Sequence, residues 1–262
     1  MKAGVSTATL YERATNEDAL VLLDGIDARI VEIFLESFCE YTPDYANLLK
    51  SRLGRLEVHS VHTLNTHFEP QLFSPNERAY NDAYGIYHNV LKCAEILNAK
   101  NYTMHGRIRM KRGAKFNNYA QTGDYFKKLT ALAKEYGVNL CLENVEWAMY
   151  SASGYFSEVK DYAPDLCACL DVKQARIAGC DYHGYLKEMG NRLKTVHVSD
   201  SDAEGRVLLP GKGLFDFERF IGELYKEEFD GPLLIEVYKE SYSSLDEVGE
   251  SLNYIRNLIK RG

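Results

Sequence analysis

The sequence predicts an α/β chain folded as a single (β/α)8 barrel, and three observations carry that expectation. Eight short apolar runs alternate with amphipathic, helix-like stretches along 262 residues, about the length of an eight-fold βα repeat. Four successive runs carry an acidic residue or a histidine near their C-terminal ends: Glu143, Asp171, His197 and Glu236, spaced 28, 26 and 39 residues apart. No linker, low-complexity stretch or Pro/Gly-rich hinge divides the chain, so residues 1–262 read as one domain.

The strands are predicted at Lys2–Ser6, Ala28–Phe34, Leu56–His62, Asn101–His105, Asn139–Glu143, Cys167–Asp171, Thr195–Ser199 and Leu233–Val237. Short apolar runs bounded by punctuation are what buried parallel strands look like. Between them lie helical signals. Ser74, Pro75, Asn76 and Glu77 open a capped stretch whose apolar stripe continues through Tyr84, Tyr87, Leu91, Ala94 and Leu97. Phe126, Leu129, Leu132, Ala133 and Tyr136 repeat the pattern and stop before Gly137, a predicted helix end. Phe217, Phe220, Ile221, Leu224 and Tyr225 form the third such stripe, ahead of the last strand.

A hydrophobic content of 45% is enough for a large core, and no run approaches the roughly 18 to 20 apolar residues that a membrane span requires. The start, Met1 to Ser6, enters a strand-like segment and not a signal sequence, which points to a cytoplasmic address. Six cysteines without a Cys-x-x-Cys pair give no disulfide framework; Cys141, Cys167 and Cys169 lie inside strand-like runs, where a thiol behaves as a small hydrophobe. A net charge of -7 argues against a surface devoted to nucleic acid.

Charged residues at the C-terminal ends of parallel strands gather where the active sites of such barrels form. A lone glutamate there would pair with an arginine or cap a helix, but Glu143, Asp171, His197 and Glu236 together make a metal set of three carboxylates and one imidazole. That mostly hard-oxygen chemistry suits Mn²⁺ first, with Mg²⁺, Co²⁺ or Zn²⁺ as alternatives. His62, His105 and Glu32 read either as partners of the ligands and of substrate hydroxyls or as satisfied barrel residues. Trp147, four residues past Glu143, reads as a ring that stacks on a substrate or as packing.

In order along the chain, Val31-Glu32-Ile33, His62, His105-Gly106, Leu142-Glu143-Asn144, Asp171-Val172-Lys173, the stretch Val196–Asp200, Gly211-Lys212-Gly213 before Phe215, and Ile235-Glu236 resemble the xylose-isomerase-like TIM-barrel family. That family includes sugar and sugar-phosphate isomerases and epimerases, tagatose-type 3-epimerases, inosose dehydratases and, more distantly, DNA-repair nucleases of the endonuclease IV type. The resemblance implies an enzyme in which a divalent ion chelates the carbonyl and hydroxyl oxygens of a sugar and stabilises an enediolate. It also implies that Glu143 and Glu236 bind metal with one oxygen and exchange a substrate proton with the other. The same enediolate can expel a β-hydroxyl, so an inosose-type dehydratase stays open beside isomerase and epimerase. The chain departs from the family at Gln174, where both the nuclease and the tagatose-type pattern place a histidine, and at Arg206, an imperfect match for an arginine after the strand-seven histidine. The stretch Gly205–Leu209 also lacks the second nuclease histidine, which disfavours nuclease activity.

Arg107, Arg109, Lys111, Arg112 and Lys115 place five cations within nine residues after His105. They suit a sugar phosphate, gripped bidentately, or a solvated loop, or one that contacts another copy in a homo-oligomer. The Gly211–Gly213 turn is a second place for a phosphate.

Overall fold

The computed structural model describes residues 1–64, 68–109 and 118–262. Eight parallel strands close into a barrel: β1 (Lys2–Ser6), β2 (Ile30–Leu35), β3 (Glu57–Thr63), β4 (Asn101–Met104), β5 (Asn139–Glu143), β6 (Cys167–Asp171), β7 (Leu193–Val198) and β10 (Pro232–Ile235). Their order around the barrel is their order in the chain, closed by β1 against β10 in the register Lys2 to Pro232 through Val5 to Ile235. All eight predicted strands are present, with ends shifted by a residue or two.

Helices cover the outside because each predicted apolar stripe needs a sheet to bury it. α3 (Glu77–Ile96) buries Tyr87, Val90, Leu91 and Ala94; α4 (Tyr119–Glu135) buries Phe126, Leu129 and Leu132; α8 (Phe217–Lys226) buries Phe217, Phe220, Ile221 and Leu224. Each buried Val, Leu, Ile or Phe among them contributes about 1.5–3 kcal/mol on leaving water. α3 starts later than the sequence suggests. Asn76 accepts from the Arg78 amide and is the cap, while Ser74 forms a turn by accepting from the Asn76 amide. α4 ends where predicted, with Gly137 at φ +67 behind it. The final helix, α9 (Leu245–Arg261), packs on β1 and α8 and opens on a full capping box of Ser244 and Glu247. All six thiols are free, as predicted. Among the described residues no helix is long and apolar enough to cross a membrane.

The 39-residue gap before Glu236 has a structural cause. A small antiparallel hairpin, β8 (Asp200–Ser201) with β9 (Val207–Leu208), is inserted between β7 and α8. Its anchor is the buried carboxylate of Asp200. Oδ1 accepts from the amides of Ser201 at 2.8 Å and Phe215 at 2.9 Å, and Oδ2 from those of Gly211 at 3.0 Å and Gly213 at 2.9 Å. The Gly211–Gly213 turn therefore spends its amides on Asp200, and they are not available to a substrate phosphate. Gly213 is required there, since a Cβ would run into Asp200 Oδ1 and the Ser201 carbonyl. Asp200→Ala would strand these amides in the interior and is expected to cost on the order of 3 kcal/mol, read as a lowered denaturation midpoint. A midpoint within a degree of wild type would show that the hairpin does not depend on this carboxylate.

Candidate metal and catalytic site

Alternation along the strands brings every second side chain into the barrel. At its C-terminal end Glu143 closes β5, Asp171 closes β6, His197 stands on β7, and Glu236 follows β10 by one residue. One ligand atom from each of these four lies within 4.8 Å of the others. His197 Nδ1 is 3.1 Å from Glu143 Oε1, 3.4 Å from Glu236 Oε2 and 4.0 Å from Asp171 Oδ2. The strand ends are tied together by Asn144. Its amide donates to the Asp171 carbonyl at 2.9 Å, and its Oδ1 accepts from the Asp171 amide at 2.8 Å. Asp171 Oδ1 caps α6 (Val172–Ile177) by accepting from the Gln174 amide at 2.9 Å, which leaves Oδ2 for other partners.

Beneath this layer the fully buried carboxylate of Glu32 accepts from Ser60 at 2.6 Å, Thr103 at 2.8 Å and Ser6 at 3.3 Å. Its Oε1 stands 2.9 Å from His197 Nε2, a close contact out of line for a hydrogen bond. A carboxylate behind an imidazole fixes the ring and leaves Nδ1 to face the cluster. His62 is fixed differently, with Nδ1 2.9 Å from the Thr103 carbonyl and Nε2 3.6 Å from Glu143 Oε2. His105 stands between two carboxylates, Nδ1 3.5 Å from Glu69 and Nε2 3.5 Å from Glu143. Glu69 is itself buried and accepts from Tyr102 at 2.6 Å, Thr63 at 3.1 Å and the amides of His105 at 2.9 Å and Gly106 at 3.1 Å.

One cation is embedded in the cluster. Lys173 Nζ is 3.6 Å from Asp171 Oδ2 and 3.3 Å from Glu236 Oε1, and it lies 4.8 Å from the centre of the Tyr238 ring. Burial would lower its pKa, but Asp171 and Glu236 outweigh that and hold the ammonium above the usual lysine range. The carboxylates divide accordingly. Burial raises Glu236, yet His197 and Lys173 draw it down to about 2. Glu143 is pushed up to about 7 by burial, which contact with His197 offsets only in part. Lys173 stands beside Glu236 and not beside Glu143, and burial prevails at Glu143.

Among the described residues five buried side-chain polar atoms have no hydrogen-bond partner: His105 Nδ1, Glu143 Oε2, Asp171 Oδ2, His197 Nε2 and Glu236 Oε2. All belong to this cluster, and such orphans call for an explanation. A divalent ion supplies one for Asp171 Oδ2 and Glu236 Oε2, which face His197 Nδ1, whereas His197 Nε2 and His105 Nδ1 face the carboxylates of Glu32 and Glu69. Bonds of about 2.1 Å place neighbouring ligand atoms roughly 3 to 3.5 Å apart, which matches the spacings of Nδ1 from Glu143 and Glu236. The donor set fits such an ion. Cys169, paired in register with Glu143, places a thiol within 4.8 Å of Glu143 and His197, a donor that the sequence reading took for a packing residue.

A cavity of about 560 Å³ opens over the cluster, lined by His62, His105, Trp147, Lys173, Gln174 and Glu236 together with the rings of Tyr11, Phe34 and Tyr238. Trp147 lies against His105, ring centres 5.2 Å apart. Gln174 accepts from the Glu146 amide at 3.2 Å. The remaining candidates lie elsewhere. Arg109 donates to Ser151 at 3.0 Å and to the carbonyl and carboxylate of Glu146 at 2.9 and 3.1 Å. Arg206 is ion-paired with Asp202 and Glu204 on the hairpin, and neither it nor Arg107 lines this cavity. Lys111, Arg112 and Lys115 fall outside the described residues. Sequence reasoning missed Lys173 and Glu69. Lys173 carried a signal, since a lysine in the first turn of a helix opposes the helix dipole.

A family model described as a xylose isomerase-like TIM barrel matches residues 22–258. The chain belongs to this family. No curated protein sequence matches it. Among solved structures this xylose isomerase-like barrel is similar to D-psicose 3-epimerase from Clostridium cellulolyticum H10 with D-tagatose, at TM-score 0.80, 15% identity and 99% coverage of each chain. It is similar to the IOLI protein with a bound zinc atom, at TM-score 0.81 and 16% identity over 100% of this chain and 99% of that one. A third is the 3-keto-D-glucoside 4-epimerase of E. coli, at TM-score 0.76 and 14% identity over 98% and 99%. At these identities the likeness is one of fold.

Two outcomes follow for this family member. Glu32→Gln is expected to weaken Mn²⁺ binding roughly 10- to 100-fold, as loss of a ligand's supporting carboxylate does; calorimetry showing unchanged affinity would detach Glu32 from the site. Because burial raises the Glu143 carboxyl to about 7, and His197, among buried carboxylates, is held above the usual histidine range, ion uptake near pH 6.5 should release protons from both and affinity should fall from pH 8 to pH 6. Titrations in buffers of different ionisation enthalpy measure that release, and none would contradict the placing of these two groups as ligands.

Proposed function

We propose that this chain is a divalent-metal-dependent isomerase or epimerase of a small sugar or related polyol ketone. The carrying observation is the convergence of Glu143, Asp171, His197 and Glu236, with the orphaned buried oxygens of Asp171 and Glu236, beneath a cavity walled by rings and histidines. Support comes from the family and from fold neighbours that include D-psicose 3-epimerase and 3-keto-D-glucoside 4-epimerase; the zinc of the IOLI protein supports a metal. Mn²⁺ or Zn²⁺ fits the donors, the thiol of Cys169 favouring the softer ion.

A bound ion would supply Lewis-acid polarisation of a substrate carbonyl, which makes the neighbouring C–H more acidic. The protein's part is to move and hold that proton. Glu143 Oε2, between His62 and His105, is placed to take it as a general base. Glu236 lines the cavity, with Lys173 on its Oε1. Trp147, Phe34 and Tyr238 offer apolar faces to a sugar and exclude water. Arg109 and the Gly211–Gly213 amides are engaged within the protein, so these groups do not serve a substrate phosphate.

Glu143→Gln is expected to retain metal, since its amide oxygen still ligates, and to lose solvent-deuterium incorporation into substrate by about 10²- to 10⁴-fold. The screen uses metal-loaded protein with D-psicose, D-tagatose, D-fructose and L-ribulose, each beside its phosphate ester, read by NMR. Exchange that survives in the variant, or faster turnover of the esters, would overturn the catalytic or the substrate assignment.

A further inference from the structure

Lys173 sits among the candidate ligands with 4% of its side chain exposed. It shares Asp171 and Glu236 with any ion held there. Asp171 Oδ1 is committed to the cap of α6, so the oxygen 3.6 Å from the ammonium is also the only one Asp171 has left for a metal. Glu236 is split, with Oε1 3.3 Å from Lys173 and Oε2 buried, without a hydrogen bond, 3.4 Å from His197 Nδ1. Four carboxylates, Glu32, Glu143, Asp171 and Glu236, meet in this space, and Lys173 is the one lysine or arginine within ion-pair distance of any of them among the described residues.

We infer that Lys173 is a resident counter-cation that competes with the divalent ion for Asp171 and Glu236, so that the metal is held exchangeably. The inference rests on the metal-site reading above. A buried ammonium and a divalent ion that share two carboxylates repel one another in a medium that screens weakly. The ammonium therefore neutralises the carboxylates for folding and at the same time weakens the hold on the ion. A lysine that only braced the fold would have the opposite signature: its loss would loosen the ligands and weaken metal binding.

The test is calorimetric titration of the full chain with Mn²⁺, and separately Zn²⁺, alongside thermal denaturation with and without the ion. Lys173→Met is expected to bind metal at least ten-fold tighter than wild type and to melt at a lower temperature when stripped of metal. Lys173→Arg, which keeps the charge, should stay within a few-fold of wild type. Equal or weaker binding by a folded Lys173→Met overturns the inference while leaving the metal site standing. Wild type that binds neither ion overturns the metal-site reading and this inference with it. Lys173→Gln serves if the methionine variant does not fold; failure of both to fold assigns Lys173 to the fold alone and overturns the competition.

Discussion

The carboxylate of Glu32, sealed inside a barrel without access to water, is the constraint on which the upper half of the interior depends. An ionised group in that position is tolerated only with charge and hydrogen bonds around it. Ser6, Ser60 and Thr103 supply hydroxyls from β1, β3 and β4, and His197 of β7 brings its Nε2 to 2.9 Å. Four strands other than its own are thereby locked to one centre, and the ring of His197 is turned so that Nδ1 looks upward. The layer above inherits that orientation: Glu143, Asp171 and Glu236 are arranged around Nδ1.

Burial acts on both glutamates of this space, and their partners separate them: His197 and Lys173 draw Glu236 down to about 2, while Glu143 stays raised, to about 7. Two glutamates that look equivalent in the sequence are thus given different partners, two imidazoles for one and an ammonium for the other.

The same face shows how groups that suggest anion binding can be consumed by the fold. Asp200 takes the amides of the Gly211–Gly213 turn, and Glu146 takes Arg109. In each case an internal carboxylate, covalently tethered and therefore at high effective concentration, occupies the place a phosphate would take.

The sequence by itself determined the architecture and the convergence of four candidate ligands. Strand and helix periodicities are local, and residues at the C-terminal ends of parallel strands must meet at one end of a barrel whatever the loops do; the positions of Glu143, Asp171, His197 and Glu236 therefore followed from the chain alone. His62, His105, Trp147 and Gln174 also reached the cavity, since each lies at or just beyond a strand end. Only the tertiary structure decided the partners. Whether Lys173 turns inward, whether Arg109 and Arg206 face substrate or nearby acids, and whether a glycine turn offers its amides or spends them on Asp200 depend on contacts between residues distant in sequence or on loop conformation. Neither has a period to read. Cys169 shows the same limit: a thiol in an apolar run reads as packing, and only the register of β6 against β5 sets it beside Glu143.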